Sequence, residues 1–139
     1  MTNGFLVVAD GTYLPFKPVL NKILLDAPCS GLGVIRKHPD IKWRRSEAEI
    51  QSFTKIQSEL IEKAGNHLIK NGQMVYSTCT INIDEDEKIT NTFIEKNSNN
   101  FKQITPPEFY NHLQKDGHIR TFPDAQGMDG SYCAIIKKF

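Results

Sequence analysis

The sequence predicts an α/β fold built on a parallel sheet. Three observations carry that expectation. Short apolar runs of strand length recur along the chain and stop at turn signals. Two stretches with helical spacing and N-terminal caps lie among them. Two cysteines, Cys29 and Cys79, each stand where such a run gives out into a turn. Ligands of open α/β sheets sit in the crevice beyond the carboxyl ends of the strands. Thiols delivered there from two strands are therefore candidates for working residues rather than packing.

The first run, Phe5-Leu6-Val7-Val8-Ala9, lies between Gly4 and the turn signal Asp10-Gly11 and predicts a buried strand. Residues 11–21, with Pro15 and Pro18, form a connection. Lys22 to Ala27 is a second buried strand, broken by Pro28 and Gly31. Residues 30–45 are irregular, with Gly31, Gly33 and Pro39 among basic residues and Trp43. Ser46 then opens a long helix, because its side chain can cap the free amides of the first turn and Glu49 three residues on completes a capping box. Apolar residues at 50, 53, 56, 60, 61, 64 and 68 keep one face of that helix in the core, and Asn71-Gly72 is its stop signal. Gln73 to Thr78 is the third strand.

Asn82 and Glu85 read as a second cap, with Asp84, Asp86 and Glu87 in a first turn whose free amides favour negative charge. Ile89, Phe93 and Ile94 form the core face of that helix, which fails at Asn97-Ser98-Asn99-Asn100. Phe101 to Thr105 reads as a strand, residues 106–130 as irregular, and Ser131 to Phe139 as the closing strand.

With 139 residues, 39% of them apolar and 24% charged, the chain forms at most one ordinary domain. A net charge of +1 carries no general nucleic-acid signal, so any such contact must come from a local patch. The start of the chain lacks the pattern of a signal peptide, and no apolar stretch approaches membrane-spanning length. Three cysteines, none close to another in sequence, argue against a disulfide framework and against a zinc site. A reduced, cytoplasmic, metal-free protein is the expectation.

Asp10, Asp26, Cys29 and Cys79 all follow predicted strands and are expected to gather on one edge of the sheet. A lone aspartate after a strand is usually a turn residue, and a lone cysteine is more often a small buried hydrophobe. Their convergence is what raises the group above that background. The loop Arg36, Lys37, His38, Lys42, Trp43, Arg44 and Arg45 combines phosphate-seeking charge with a ring for base stacking, or else is a solvated surface with Trp43 tucked under it. A thiol hydrolase using His38 or His67 is a further alternative, but no acid–base partner is placed by the sequence, and His67 falls near the core stripe of the long helix.

The run Leu25-Asp26-Ala27-Pro28-Cys29-Ser30-Gly31, then Gly33-Val34-Ile35-Arg36-Lys37-His38-Pro39-Asp40, then Tyr76-Ser77-Thr78-Cys79-Thr80, resembles the RNA cytosine-5 methyltransferases, and within them the Sun/Fmu group that methylates 16S ribosomal RNA. The likeness extends to Phe122-Pro123 and Gly127-Met128-Asp129-Gly130. It implies the carboxyl-terminal portion of a Rossmann-like, class I methyltransferase sheet, mostly parallel with an antiparallel closing strand, and the cofactor S-adenosylmethionine. It implies that Cys79 is the nucleophile toward carbon 6 of cytosine and that Cys29 assists release of the methylated product. Asp26 would line the site between cofactor and cytosine, and Asp10 would contact the adenine. Ribosomal RNA is the implied partner, with Arg36, Lys37, His38, Lys42 and Trp43 on its side.

Departures from the family pattern lie at Ile83 and Asp86, where the nearest relatives carry proline and asparagine; they are expected to alter a helix start and not the chemistry. The family's glycine-rich cofactor loop, ribose-binding acid and RNA-binding extension precede the segment matching residues 5–9. The expectation is therefore that residues 1–139 are the carboxyl-terminal part of a catalytic domain, inactive alone, with an open sheet edge.

Overall fold

In a computed structural model, which describes residues 4–108, 113–124 and 127–139, the chain folds around a six-stranded mixed sheet. In chain order the elements are β1 (Leu20–Asp26), a short 3-10 turn (Leu32–Val34), α1 (Ile41–Arg44), α2 (Glu47–His67), β2 (Leu68–Thr78), α3 (Glu87–Lys96), β3 (Phe101–Ile104), β4 (Gln114–Lys115), β5 (His118–Thr121) and β6 (Ser131–Lys138). The sheet order is β1-β2-β6-β5-β4, with β3 also paired to β6. The fold class is the expected one, a Rossmann-like α/β sheet closed by an antiparallel strand. Among the described residues its parallel part is the β1–β2 pair, with Ile23 opposite Met74 and Asp26 opposite Ser77. The pairings of β2, β3 and β5 with β6, and of β4 with β5, are antiparallel.

The helix after Ser46 forms for the reason its sequence states. The Ser46 hydroxyl accepts from the Glu49 amide, and the Glu49 carboxylate accepts from the Ser46 amide at 2.8 Å. It ends at His67, however, before the Asn71-Gly72 signal. Leu68 is already extended and fully buried in the sheet, and Asn71, at φ 66°, serves instead as an irregularity inside β2. Burial along β2 and β6 alternates: Met74, Tyr76, Tyr132, Ala134 and Ile136 point into the core beneath α2 and α3. Ile61 and Ala64 of α2 and Ile89 and Phe93 of α3 meet them there.

Three further expectations are corrected. β1 is a strand but not a buried one: none of its residues is buried and Leu24 is 72% exposed. Residues 5–9 are not a strand: Phe5, Leu6 and Val8 are all more than nine-tenths exposed, and no strand lies beside them among the described residues. Residues 106–130 are not wholly irregular. Asp116 and Gly117, both with positive φ, form the tight turn that joins β4 to β5; positions 109–112 and 125–126 of that stretch lie outside the described residues.

Candidate functional site: a pair of thiols at the carboxyl edge

Because β1 and β2 are adjacent and parallel, the loops that leave them emerge side by side. Cys29 and Cys79 are brought sulfur to sulfur at 3.1 Å, and the Cys79 amide donates to the Cys29 sulfur at 3.3 Å. Asp26 joins them, accepting from the Ser77 hydroxyl at 3.1 Å. Asp10 lies on an exposed loop and accepts from the amide and hydroxyl of Thr12; no contact among the described residues ties it to the thiols.

The two thiols have unequal surroundings. Cys79 is exposed and receives the hydrogen bond of the Cys29 thiol, which lowers its pKa to about 7 despite the opposing carboxylates of Asp26 and Glu85. Cys29 is half-buried, and the Cys79 sulfur beside it, together with burial, pushes its pKa well up. These opposite shifts favour Cys79 over Cys29 as the sulfur that reaches the thiolate state near neutrality. A thiolate at an exposed edge is a nucleophile. Cys133, in the middle of the sheet, has its pKa raised by burial alone and belongs to the packing.

The glycines of the motif are required by backbone approach. The Gly33 amide donates to the Cys79 carbonyl at 3.1 Å and its carbonyl accepts from the Gly130 amide at 2.8 Å. A Cβ on Gly33 would overlap the Gly130 carbonyl and come within 2.9 Å of the Cys79 carbonyl oxygen. Three distant segments thus cross beneath the nucleophile.

The basic loop divides. Arg36 donates to the carbonyls of Gly127 and Met128, and both Arg36 and Lys37 pair with Asp129, whose carboxyl is held below its usual range chiefly by Lys37. These two side chains fasten the segment before β6. Arg44 pairs with Asp40, and Arg45 donates to the Ser30 carbonyl at 2.8 Å. His38, Lys42 and Trp43 are exposed; Trp43 is 82% exposed rather than tucked under the loop, with the Lys42 ammonium 5.1 Å from its ring centre. Both ring nitrogens of His67 meet backbone carbonyls, those of Lys63 and Phe16, so it does not serve a thiol.

Two residues carry more than their sequence suggested. Glu85 is not a helix cap: α3 begins at Glu87, and the Glu85 carboxyl turns inward to Ser30, Thr80 and Gln57. Asp86 is not an exposed first-turn acid: it is fully buried, accepts from the Thr78 hydroxyl at 2.5 Å and pairs with Arg120 at 3.0 Å. Burial raises its pKa to about 7 against the opposing pull of Thr78 and Arg120. A run of four acids after a nucleophile reads as a charged helix start, and nothing in the run itself says which members are buried.

Fold and site together define a Rossmann-like domain that presents a close pair of thiols at the carboxyl edge of its parallel strands. Residues 1–137 match the family model described as 16S rRNA methyltransferase RsmB/F, and the chain belongs to that family. It is 38% identical over 118 residues to ribosomal RNA small subunit methyltransferase B of Photorhabdus laumondii, which covers 85% of this chain and 26% of that protein. The protein of that name from Yersinia enterocolitica is 49% identical over 78 residues, 56% of this chain and 18% of its own. The chain thus spans about a quarter or less of the length of these relatives. Among solved structures, NSun6 from Pyrococcus horikoshii with SFG aligns over 96% of this chain and 34% of its own, with a TM-score of 0.77 and 30% identity. A methyltransferase homolog protein from Pyrococcus horikoshii aligns with a TM-score of 0.66 and 28% identity, over 86% of this chain and 39% of that one.

Proposed function

We propose that this chain is the catalytic part of an enzyme that methylates carbon 5 of a cytosine in 16S ribosomal RNA, with Cys79 as nucleophile and S-adenosylmethionine as methyl donor. The observation that carries the reading is the thiol pair at the carboxyl edge, sulfur to sulfur at 3.1 Å, with Cys79 the more exposed of the two. The likeness to ribosomal RNA methyltransferases supports the RNA substrate, and NSun6 with SFG, an S-adenosylmethionine analogue, supports the cofactor.

Carbon 5 of cytosine is a poor nucleophile. Addition of the Cys79 thiolate to carbon 6 forms a sulfur–carbon bond and moves the ring's electron pair to carbon 5. When bound, S-adenosylmethionine supplies the electrophilic methyl group that carbon 5 then takes up. Transfer of the carbon 5 proton to water at the exposed edge restores the ring double bond and breaks the sulfur–carbon bond, the bonding pair leaving on Cys79 as thiolate. Cys29 is placed to donate its hydrogen bond to the departing Cys79 sulfur, which accounts for a role in release. Asp26, beside the pair, is the acid available to the polar edge of the base. The exposed carboxyl of Asp10, held below its usual range by Thr12, is an acceptor suited to an adenine amino group. The base must leave its stack to reach the edge, so a loop or unstacked nucleotide is the expected substrate. His38, Lys42 and Trp43 are free to face it, whereas Arg36 and Lys37 act through the segment they fasten.

The test is made in the protein that carries this chain at its full length. Cys79→Ala should abolish both transfer of labelled methyl and any covalent protein–RNA species, while Cys29→Ala should let that species accumulate on denaturing gels. An adduct formed by Cys79→Ala and lost in Cys29→Ala would reverse the two roles. Residues 1–139 alone should bind S-adenosylmethionine weakly, and micromolar binding in titration calorimetry would refute that.

A further inference from the structure

We infer that Glu85 is the positioning residue of the thiol pair: its buried carboxyl clamps the loop carrying Cys29 to the loop carrying Cys79 and so sets how the two sulfurs meet. The consequence for catalysis rests on the methyl-transfer reading above; the clamp itself does not.

Glu85 is wholly inaccessible to solvent. A buried carboxyl with no cation against it is costly unless donors surround it. Here they do, and each comes from a residue that bears on a cysteine. The amide of Ser30, next to Cys29, donates at 2.8 Å, and the Ser30 hydroxyl at 2.5 Å. The hydroxyl of Thr80, next to Cys79, lies 3.4 Å away and also meets the Ser30 hydroxyl at 2.9 Å. One carboxyl therefore joins the immediate neighbours of both thiols.

The fourth donor extends the clamp. The Gln57 side-chain amide donates to Glu85 at 3.1 Å and to the Pro28 carbonyl at 2.8 Å. Cys29 is thus held on both flanks, at Pro28 through Gln57 and at Ser30 through Glu85, with Arg45 on the far side of the Ser30 peptide. Gln57 turns its nitrogen to these two acceptors even though its buried oxygen then has no partner among the described residues. Glu85 is itself anchored: its carbonyl accepts from the Tyr76 hydroxyl at 2.7 Å, and its amide donates to the Asn82 carbonyl at 3.0 Å. Tyr76 belongs to β2, so the clamp is referred to the strand that ends at Cys79.

The thiols report on this arrangement directly, without methyl transfer. In a Cys133→Ser background, the pH dependence of iodoacetamide alkylation reads the Cys79 pKa. Equilibration with reduced and oxidised glutathione reads how well the two sulfurs are held together: the two thiols are oxidised to a disulfide while one glutathione disulfide is reduced to two thiols. Glu85→Ala should lower the disulfide equilibrium constant roughly tenfold to a hundredfold. Glu85→Gln, which keeps one acceptor oxygen, and Ser30→Ala, which keeps the amide donor, should lower it by less. Because the Glu85 charge itself opposes the Cys79 thiolate, the alkylation midpoint is read in Ser30→Ala, which keeps that charge, and should move upward from about 7. Phe93→Leu, a core change remote from the thiols and comparable in thermal destabilisation, should move neither. Any folded Glu85 or Ser30 variant with an unchanged disulfide equilibrium overturns the clamp, whatever its methyltransferase activity. Loss of RNA methylation from the unsubstituted protein with an intact thiol pair would instead overturn the methyl-transfer reading and leave the clamp standing.

Discussion

Residues 5–9, Phe-Leu-Val-Val-Ala, and residues 132–136, Tyr-Cys-Ala-Ile-Ile, carry the same local message and meet opposite fates. The second run is the middle of β6, where Tyr132, Ala134 and Ile136 are buried, with β2 along one side and β3 and β5 along the other. The first is bare. β1 lies between these extremes: β2 pairs one side of it, while Leu24 remains 72% exposed. Apolar, β-favouring residues become a strand only where another strand offers amides and a face to bury. Residues 5–9 and the free side of β1 are the places where such a partner is wanting, and an unpaired apolar edge invites association.

The closed side should therefore be costly to disturb and the open side nearly indifferent. Asp86→Ala should have the largest effect, about 3–5 kcal/mol in urea unfolding, because it leaves the Thr78 hydroxyl without its acceptor and the buried Arg120 guanidinium with Glu87 as its remaining carboxylate. Ile136→Ala, in the centre of β6, should cost roughly 2–5 kcal/mol through lost burial and the cavity left behind. A cost below about 0.5 kcal/mol for either would remove the contrast.

Asp86→Asn tests the same region through pH. The unfolded carboxyl releases its proton near 3.8 and the folded one near 7, so between those values the native state holds the extra proton. Asp86 therefore stabilises the fold most at low pH, and its contribution falls as pH rises, by at most about 1.4 kcal/mol per pH unit. Asparagine should flatten that slope between pH 4 and pH 7 in urea unfolding, and a slope unchanged by the substitution would exclude Asp86 as its source. The smallest effect is expected at the open side: Val8→Ser should change stability by less than about 0.5 kcal/mol. A larger loss would mean that residues 5–9 find a packing partner in solution.

Elements specified by neighbours in sequence were legible. The Ser46–Glu49 capping box and the stripe that follows it state where α2 begins and which side it buries. The cysteine motifs state that two thiols end two strands. The Asp116-Gly117 turn was also written locally, but no alternating apolar runs flank it, so its hairpin did not stand out. Glu85 and Asp86 mark where local reading stops. They are adjacent, equally charged and equally suited to a helix start, yet one closes on Ser30 under the cysteine loops and the other on Arg120 under β5. Their partners lie 55 and 34 residues away, and no local rule distinguishes them.

By itself, the sequence determined the class of the fold, the Ser46–Glu49 cap, the thiols and the family to which they belong, because each is encoded in residue type and short spacing. Tertiary structure alone decided which apolar runs became strands, that the two sulfurs lie 3.1 Å apart, which of them is the more exposed, and which acids are buried. Each of these depends on what the folded chain places beside a group. Burial, hydrogen-bond partners and neighbouring charge act over a few ångströms in space, whatever the separation along the chain.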